Sequence, residues 1–315
     1  MSVMRRRFRR GLAAAATAAC TALSVGATAP AAAARTPYPV GDLTTAIGNF
    51  VLSPDAVAGA NDWTCEPSAE HPEPVVIVHG TTSNFGFAGA MLAPTLANAG
   101  YCVYGFNYGE TQASLGRIYG LGDVAESART MSAFVDRVLA ATGAAEVDVV
   151  GGSQGGMMPN YYIKRLGGAA KVRTLVGLAP TNHGTTMGGL VDLGRKLGVL
   201  GLVNDFLRLI GSPAHVQQEE GSEFQEALFA DGDTVPGVRY VTIATAHDTT
   251  VTPLTNSFLH GGDSTNILLQ DLCPDDPVGH SGTWFDGPIM QIVLNALGPD
   301  EPGFRPECTG YGPSI

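Results

Sequence analysis

Residues 147–162 read VDVVGGSQGGMMPNYY, and the order of residue types in this stretch decides the fold. Val147 to Val150, three valines around Asp148, reads as a buried strand. Gly151-Gly152-Ser153-Gln154-Gly155 follows directly, and Met157 to Leu166 has a helical pattern. A Gly-x-Ser-x-Gly string between a strand and a helix has the form of a nucleophile elbow, a tight turn that holds its serine in a strained backbone conformation. The positions two before and two after the serine approach too closely for side chains, so both are glycine, and the serine Oγ is left exposed above the sheet. In a chain with 41 Gly the string alone would arise by chance. Its placement is what makes it specific.

Strand and helix patterns alternate on either side of this turn. Val75 to His79, Tyr101 to Phe106, Arg173 to Leu178, Val238 to Ala244 and Ile267 to Leu269 read as strands. Gly86 to Asn98, the amphipathic run that opens at the Asp123/Glu126 capping box and stops at Gly143, and Pro288 to Leu297 read as helices. Such alternation predicts one α/β domain, a mostly parallel sheet with helices on both faces, over residues 35–315. Residues 184–233 break the pattern: Leu190, Leu193, Leu197, Leu200, Val203, Phe206, Leu207 and Ile210 recur at helical spacing. This helical insert is either a crossover helix pair or a mobile cap over a cleft. Residues 298–315, rich in Gly and Pro, read as an extended tail pinned by Cys308.

A serine becomes a useful nucleophile when an imidazole takes its proton and a carboxylate holds that imidazole in the right tautomer. In a parallel sheet the residues just beyond the C-terminal ends of strands gather at one edge. Asp248 qualifies, in the loop after Val238 to Ala244, whereas Asp205, Asp231, Asp233 and Asp263 lie in the insert or before a strand and read as solvated charge. Among seven His, His280 follows the last strand and is favoured over His260, which precedes it. His71, His183 and His215 come too early for the order Ser, Asp, His, and His79 beside Gly80 reads as structural. The backbone N–H of Gln154, next to the nucleophile, and that of Thr81, in the loop after Val75 to His79, are the expected oxyanion donors.

Residues 5–10 read RRRFRR and an Ala-rich, weakly apolar run follows, ending at Ala32-Ala33-Ala34. This has the form of a secretory signal over residues 1–34 with Arg35 as the mature N-terminus, and Arg5-Arg6-x-Phe8 also suits a twin-Arg route. A secreted, extracellular protein without a transmembrane segment is expected. The formal charge is −11, and removing the leader with its five Arg and no acid gives −11 − 5 = −16. A body so acidic repels phosphate backbones and anionic membranes, so nucleic acid is not an expected partner and neutral or cationic substrates remain. Export also favours two disulfides among Cys65, Cys102, Cys273 and Cys308. Three pairings are open, and loop-closure entropy favours Cys65 with Cys102 and Cys273 with Cys308. No C-x-x-C pair occurs, and neither a metal nor a cofactor is expected. Asp271, Asp275 and Asp276 offer oxygen ligands for Ca²⁺ but read more simply as solvated acids.

His79-Gly80-Thr81, the elbow Gly151 to Gly155 with the following Met157-Met158-Pro159-Asn160-Tyr161-Tyr162, Asp248-x-x-Val251 and His280 resemble the secreted actinobacterial lipases of the α/β-hydrolase superfamily, over roughly residues 60–300. The resemblance implies a serine carboxylester hydrolase acting on acylglycerols, with Ser153 as nucleophile, Asp248 as acid, His280 as base, and Thr81 and Gln154 as oxyanion donors. Two features depart from that pattern: Gly152 stands where His is commoner, and Pro159, early in a helix, lacks an N–H and is expected to bend the first turns. Other acyl-transfer chemistry on the same scaffold (a polyester hydrolase, phospholipase or acyltransferase) and a non-catalytic binding protein are the rival readings. Oligomeric state has no signature in the sequence.

Overall fold

The structure, a computed structural model, describes residues 36–299, 301 and 303–315. The expected export leader and its cleavage site lie outside the described residues. Six parallel strands, β1 (Val75–Val78), β2 (Val103–Phe106), β3 (Val147–Gly152), β4 (Val172–Leu178), β5 (Arg239–Ala244) and β6 (Ser264–Leu268), form one sheet in the order β2-β1-β3-β4-β5-β6. Successive side chains of a strand point to opposite faces. In β1, Val75 and Ile77 therefore join one core cluster and Val76 and Val78 the other. The first cluster is filled by α1 (Leu43–Leu52), α2 (Phe85–Asn98) and α10 (Gly287–Leu297), and the second by α3 (Val124–Thr142) and α4 (Gln154–Arg165). Helices thus cover both faces, which is why β1 and β3 are buried along their whole length, whereas the edge strand β6 is partly exposed.

Local chemistry sets the helix ends. Asp123 accepts the N–H of Glu126 at 3.0 Å to open α3, and Gly143, at φ 72°, closes it in the left-handed conformation. Asn84 caps α2 in the same way through the N–H of Phe87. Inside α2, Pro94 supplies no N–H for the carbonyl of Ala90, and the N–H of Gly41 takes its place at 3.1 Å. This bond anchors the start of α1, a helix that the sequence pattern did not reveal.

Between β4 and β5 the insert forms four short helices rather than a pair: α5 (Leu190–Lys196), α6 (Leu200–Leu209), α7 (Pro213–Gln217) and α8 (Glu223–Phe229). The apolar stripe at helical spacing does not enter the core. No residue of α6 is buried, and Leu202, Phe206 and Leu209 are 75%, 58% and 75% exposed. A short α9 (Leu269–Leu272) follows β6. Cys65 is joined to Cys102, ahead of β2, and Cys273 to Cys308. Among the described residues no helix is long and apolar enough to cross a membrane.

Candidate active site

Because β1 lies between β2 and β3, the chain leaves β1 and β3 toward opposite sides of the sheet, and a crevice opens between the ends of these two strands. Ser153 stands at the end of β3 with φ 55° and ψ −126°, a conformation costing about 1–3 kcal/mol that persists only where the surroundings enforce it. The surroundings are tight. A β-carbon on Gly151 would lie 1.9 Å from the carbonyl oxygen of Gly155, and one on Gly155 would lie 2.1 Å from that of Val78. This turn also explains why α4 starts at Gln154, three residues before the apolar pattern indicates, and the helix runs on through Pro159.

Asp248 lies in the loop after β5, its side chain 2% exposed. Its Oδ1 accepts the backbone N–H groups of Thr250 and Val251, each at 2.8 Å, and its Oδ2 accepts Nδ1–H of His280 at 2.8 Å. A carboxylate can only accept, so this bond places the His280 proton on Nδ1 and leaves Nε2 as an acceptor. Behind the Asp248 loop, Thr185 Oγ1 donates to the carbonyl of Thr250 and accepts the N–H of Thr252. The His280 loop is held from the other side by the C-terminal tail, where Pro313 O and Ile315 O accept the N–H groups of Gly279 and Gly282. The tail is therefore a brace for His280 as well as a partner of Cys273. His260 is not beside Asp248; it lies with His183 and Asp233.

Gln154 is the first residue of α4, so its N–H has no intrahelical acceptor. Thr81 follows Gly80, where a β-carbon would sit 3.2 Å from Cβ of Ser153, so the loop after β1 closes directly onto the elbow. The Thr81 hydroxyl donates to Gln154 Oε1 at 2.6 Å and accepts Nε2–H of Gln218 at 2.8 Å. The two expected donor residues and the segment after α7 are thus joined by side chains, a link with no signal in the sequence.

Two cavities meet at Ser153 and His280. One, of about 300 Å³, has Ile47, Phe50, Phe87 and Trp284 in its wall. The other, of about 510 Å³, lies under the insert and is walled by Met187, Leu190, Val191, Leu200, Val203 and Leu207. Sequence reasoning missed Ile47 and Phe50 together with α1. It also missed Trp284, which packs on Gly152.

Two expectations about acids need correction. Asp233 is not solvated surface charge: it is 8% exposed and accepts from His183 Nε2 and from the N–H of His260. Asp276 is fully buried against Asp286 rather than exposed with Asp271 and Asp275. Asp231, by contrast, is exposed and pairs with Lys164 and Arg165. His79 is buried, its Nδ1 at 2.8 Å from Gly80 O and its ring stacked on Tyr108. Burial brings its pKa down to about 4, so it is a neutral structural ring under the loop that carries Thr81.

The chain matches the family model described as Lipase (class 2) over residues 72–255, a span that includes Thr81, Ser153, Gln154 and Asp248 and stops short of His280. Among solved structures it is similar to Aspergillus fumigatus lipase B, with 20% identity and a TM-score of 0.58 over 85% of this chain and 64% of that one. It is also similar to mature Bacillus licheniformis lipase BlEst2, with 16% identity and a TM-score of 0.55 over 74% of this chain and 95% of that one. The chain spans 64% of the length of the Aspergillus protein. At these identities the structural likeness speaks to the α/β-hydrolase fold, and the family match extends over more than half of the 315 residues. The chain belongs to the class 2 lipase family.

Proposed function

We propose that the protein is an exported serine carboxylester hydrolase acting on neutral acyl esters. The observation that carries this reading is the convergence of the Ser153 elbow, the Asp248–His280 hydrogen bond and two largely apolar cavities at one point. In the proposed reaction Ser153 Oγ attacks the ester carbonyl while His280 Nε2 takes its proton, and Asp248 stabilises the imidazolium. The N–H groups of Gln154 and Thr81 receive the developing oxyanion, helped by the positive end of α4. His280 returns the proton to the leaving alcohol, and water then releases the acyl group from Ser153 by the same steps in reverse order.

The 510 Å³ cavity under the insert supports an acyl chain of medium to long length, since each methylene leaving water completely contributes about 0.8 kcal/mol. The exposed apolar face of α6 supports a role for the insert as a cap that meets a neutral lipid surface, and the acidity of the chain disfavours anionic ones. Export is supported by the leader and by the two disulfides.

A serine-directed organophosphonate tests the chemistry. Mass added at Ser153 in the native protein, and none in Ser153→Ala, is the expected result; an unlabelled Ser153 would leave a hydrolase-like binding protein. A series of p-nitrophenyl esters tests the substrate. The kcat/KM should rise beyond acetate, and a steady fall with chain length would overturn the acyl-groove reading.

A further inference from the structure

Away from Ser153, side chains from three separate loops converge: His183 after β4, Asp233 before β5 and His260 before β6. His183 Nε2 lies 3.1 Å from Asp233 Oδ2, and the same oxygen accepts the backbone N–H of His260 at 2.6 Å. The rings of His183 and His260 are inclined by only 19°, with centroids 6.0 Å apart. One ligating atom from each of the three side chains lies within 4.8 Å of the other two.

A plain His–Asp hydrogen bond accounts for the first pair and leaves the third group unexplained. Among the described residues, the His260 ring makes no hydrogen bond, and Asp233 Oδ1 accepts from no donor. His260 is exposed while Asp233 is buried, and Asp233 Oδ1 keeps a free lone-pair site beside the two imidazoles.

We propose that His183, Asp233 and His260 form a binding site for a divalent transition cation of the zinc class, with water completing the coordination. Two imidazoles and one carboxylate suit zinc, whereas calcium and magnesium prefer all-oxygen sets. Tetrahedral bonds of about 2.0–2.2 Å place ligand atoms about 3.3–3.6 Å apart. The His183–Asp233 pair is already near that separation, and the exposed His260 has to swing by about 1 Å to reach it. His183 would offer Nε2 to the metal in place of the present hydrogen bond, with its proton on Nδ1. Sequence spacing hid the site, because Asp233 is 50 residues from His183 and 27 from His260.

The cation would clamp the loop after β4, which also carries Thr185 and Thr186. These residues hold Thr250 and Thr252 behind Asp248, through Thr185 Oγ1 to Thr250 O and Thr186 N to Thr252 O at 2.8 Å. Metal bound at His183 therefore stabilises the native chain and, through this loop, the segment that orients Asp248. A ligand that binds only the folded form raises Tm, and raises it further as its concentration climbs above its Kd.

The test uses the full mature chain without an affinity tag, stripped with a chelator. Co²⁺ serves as a visible probe and Zn²⁺ as its competitor. One equivalent of Co²⁺ should give the absorption of a tetrahedral site and be displaced by Zn²⁺, and Zn²⁺ but not Mg²⁺ should raise Tm. His260→Ala, at an exposed position, should leave the metal-free Tm unchanged and weaken Co²⁺ binding by at least about tenfold, and His183→Gln should do the same to binding. The proposal is overturned if the native chain takes up no stoichiometric Co²⁺, or if both variants bind it as tightly as the native chain.

Discussion

The ring of Trp284 fills the space that a side chain at position 152 would need: a β-carbon on Gly152 would lie 2.4 Å from Cζ2 of Trp284. Trp284 is 5% exposed and lies in the wall of the 300 Å³ cavity, so the residue before Ser153 and the shape of that cavity are set together. The glycine in place of the commoner His is thus matched by a large neighbour and leaves the elbow closely packed. Gly152→Ala should cost about 1–3 kcal/mol of stability through overpacking. Combined with Trp284→Leu, it should cost less than the sum of the two single changes, because the smaller side chain vacates the contested space. Thermal melts of the four proteins measure the coupling, and strict additivity would show that the ring moves aside freely.

Removing the groups that converge on Ser153 should separate cleanly from removing their neighbours. Ser153→Ala and His280→Ala should each lower kcat by about 10⁴–10⁶, and Asp248→Asn by about 10⁴, since it leaves the ring in place with the wrong tautomer. His260→Ala, assayed in metal-free buffer, should keep most of the rate because Asp248 holds His280 instead. Steady-state kinetics on a soluble ester, with circular dichroism as a check on folding, distinguishes these outcomes. A dead His260→Ala beside an active His280→Ala would reverse the assignment.

The brace on His280 contains a proton that titrates in an accessible range. Asp286 caps α10 through the N–H of Ile289 and also accepts that of Gly312 in the tail. Its neighbour Asp276 accepts the N–H of Val278, but its Oδ2 meets no donor, so one proton shared by the two carboxyls satisfies both. Burial, together with the facing acid, pushes the Asp286 pKa up to about 6 from an ordinary value of about 3.9. An acid whose pKa is higher in the folded state binds more protons there across this interval. Its contribution is therefore complete below about pH 4 and is lost as pH rises through about 6. Asp276→Asn keeps an acceptor for Val278 and gives Asp286 a permanent donor. Its Tm should match that of the native protein near pH 4 and exceed it near pH 7, and melts across that range decide the matter. Parallel curves would show that no proton is shared.

Much of this arrangement was legible in the sequence because it rests on backbone signals. The Val147 to Val150 run with its glycines located the elbow, the Asp123/Glu126 pair and Gly143 marked α3, and strand order put Asp248 and His280 at the edge that holds Ser153. What could not be read depends on contacts remote in the chain. The helix α1 carries a local start signal in Asp42, whose side chain accepts the N–H of Thr45, but its docking through the N–H of Gly41 onto a carbonyl that Pro94 leaves vacant has none. The acids misjudged as solvated, Asp233 and Asp276, are buried by partners at a distance along the chain or in a later loop. The apolar stripe of the insert was seen, but periodicity carries no information on whether a stripe faces a core or the solvent.

The donors expected for the oxyanion are backbone groups that mutation cannot remove, yet the Thr81 hydroxyl offers a way to disturb them. It links Gln154 Oε1 on one side to Gln218 Nε2 on the other, and Gln154, Thr181 and Gln218 around it are all buried. Thr81→Val preserves shape and removes both bonds. Gln218 retains the carbonyl of Ala214 as a partner for Nε2. Gln154 Oε1 would be left without the Thr81 donor, and Gln154 Nε2 already has no partner. Leaving one buried polar atom unsatisfied costs about 1–3 kcal/mol. Expressed in the positioning of Gln154 and Thr81 against the transition state, that cost corresponds to about 5–150-fold in kcat. KM should change little, since a donor aimed at the oxyanion gains its strength only as charge develops. Thr81→Ser, which keeps the hydroxyl, should stay within a small factor of the native rate. Equal losses in the two variants would point to packing of the Thr81 methyl group, and a rise in KM at constant kcat would assign Thr81 to ground-state binding instead.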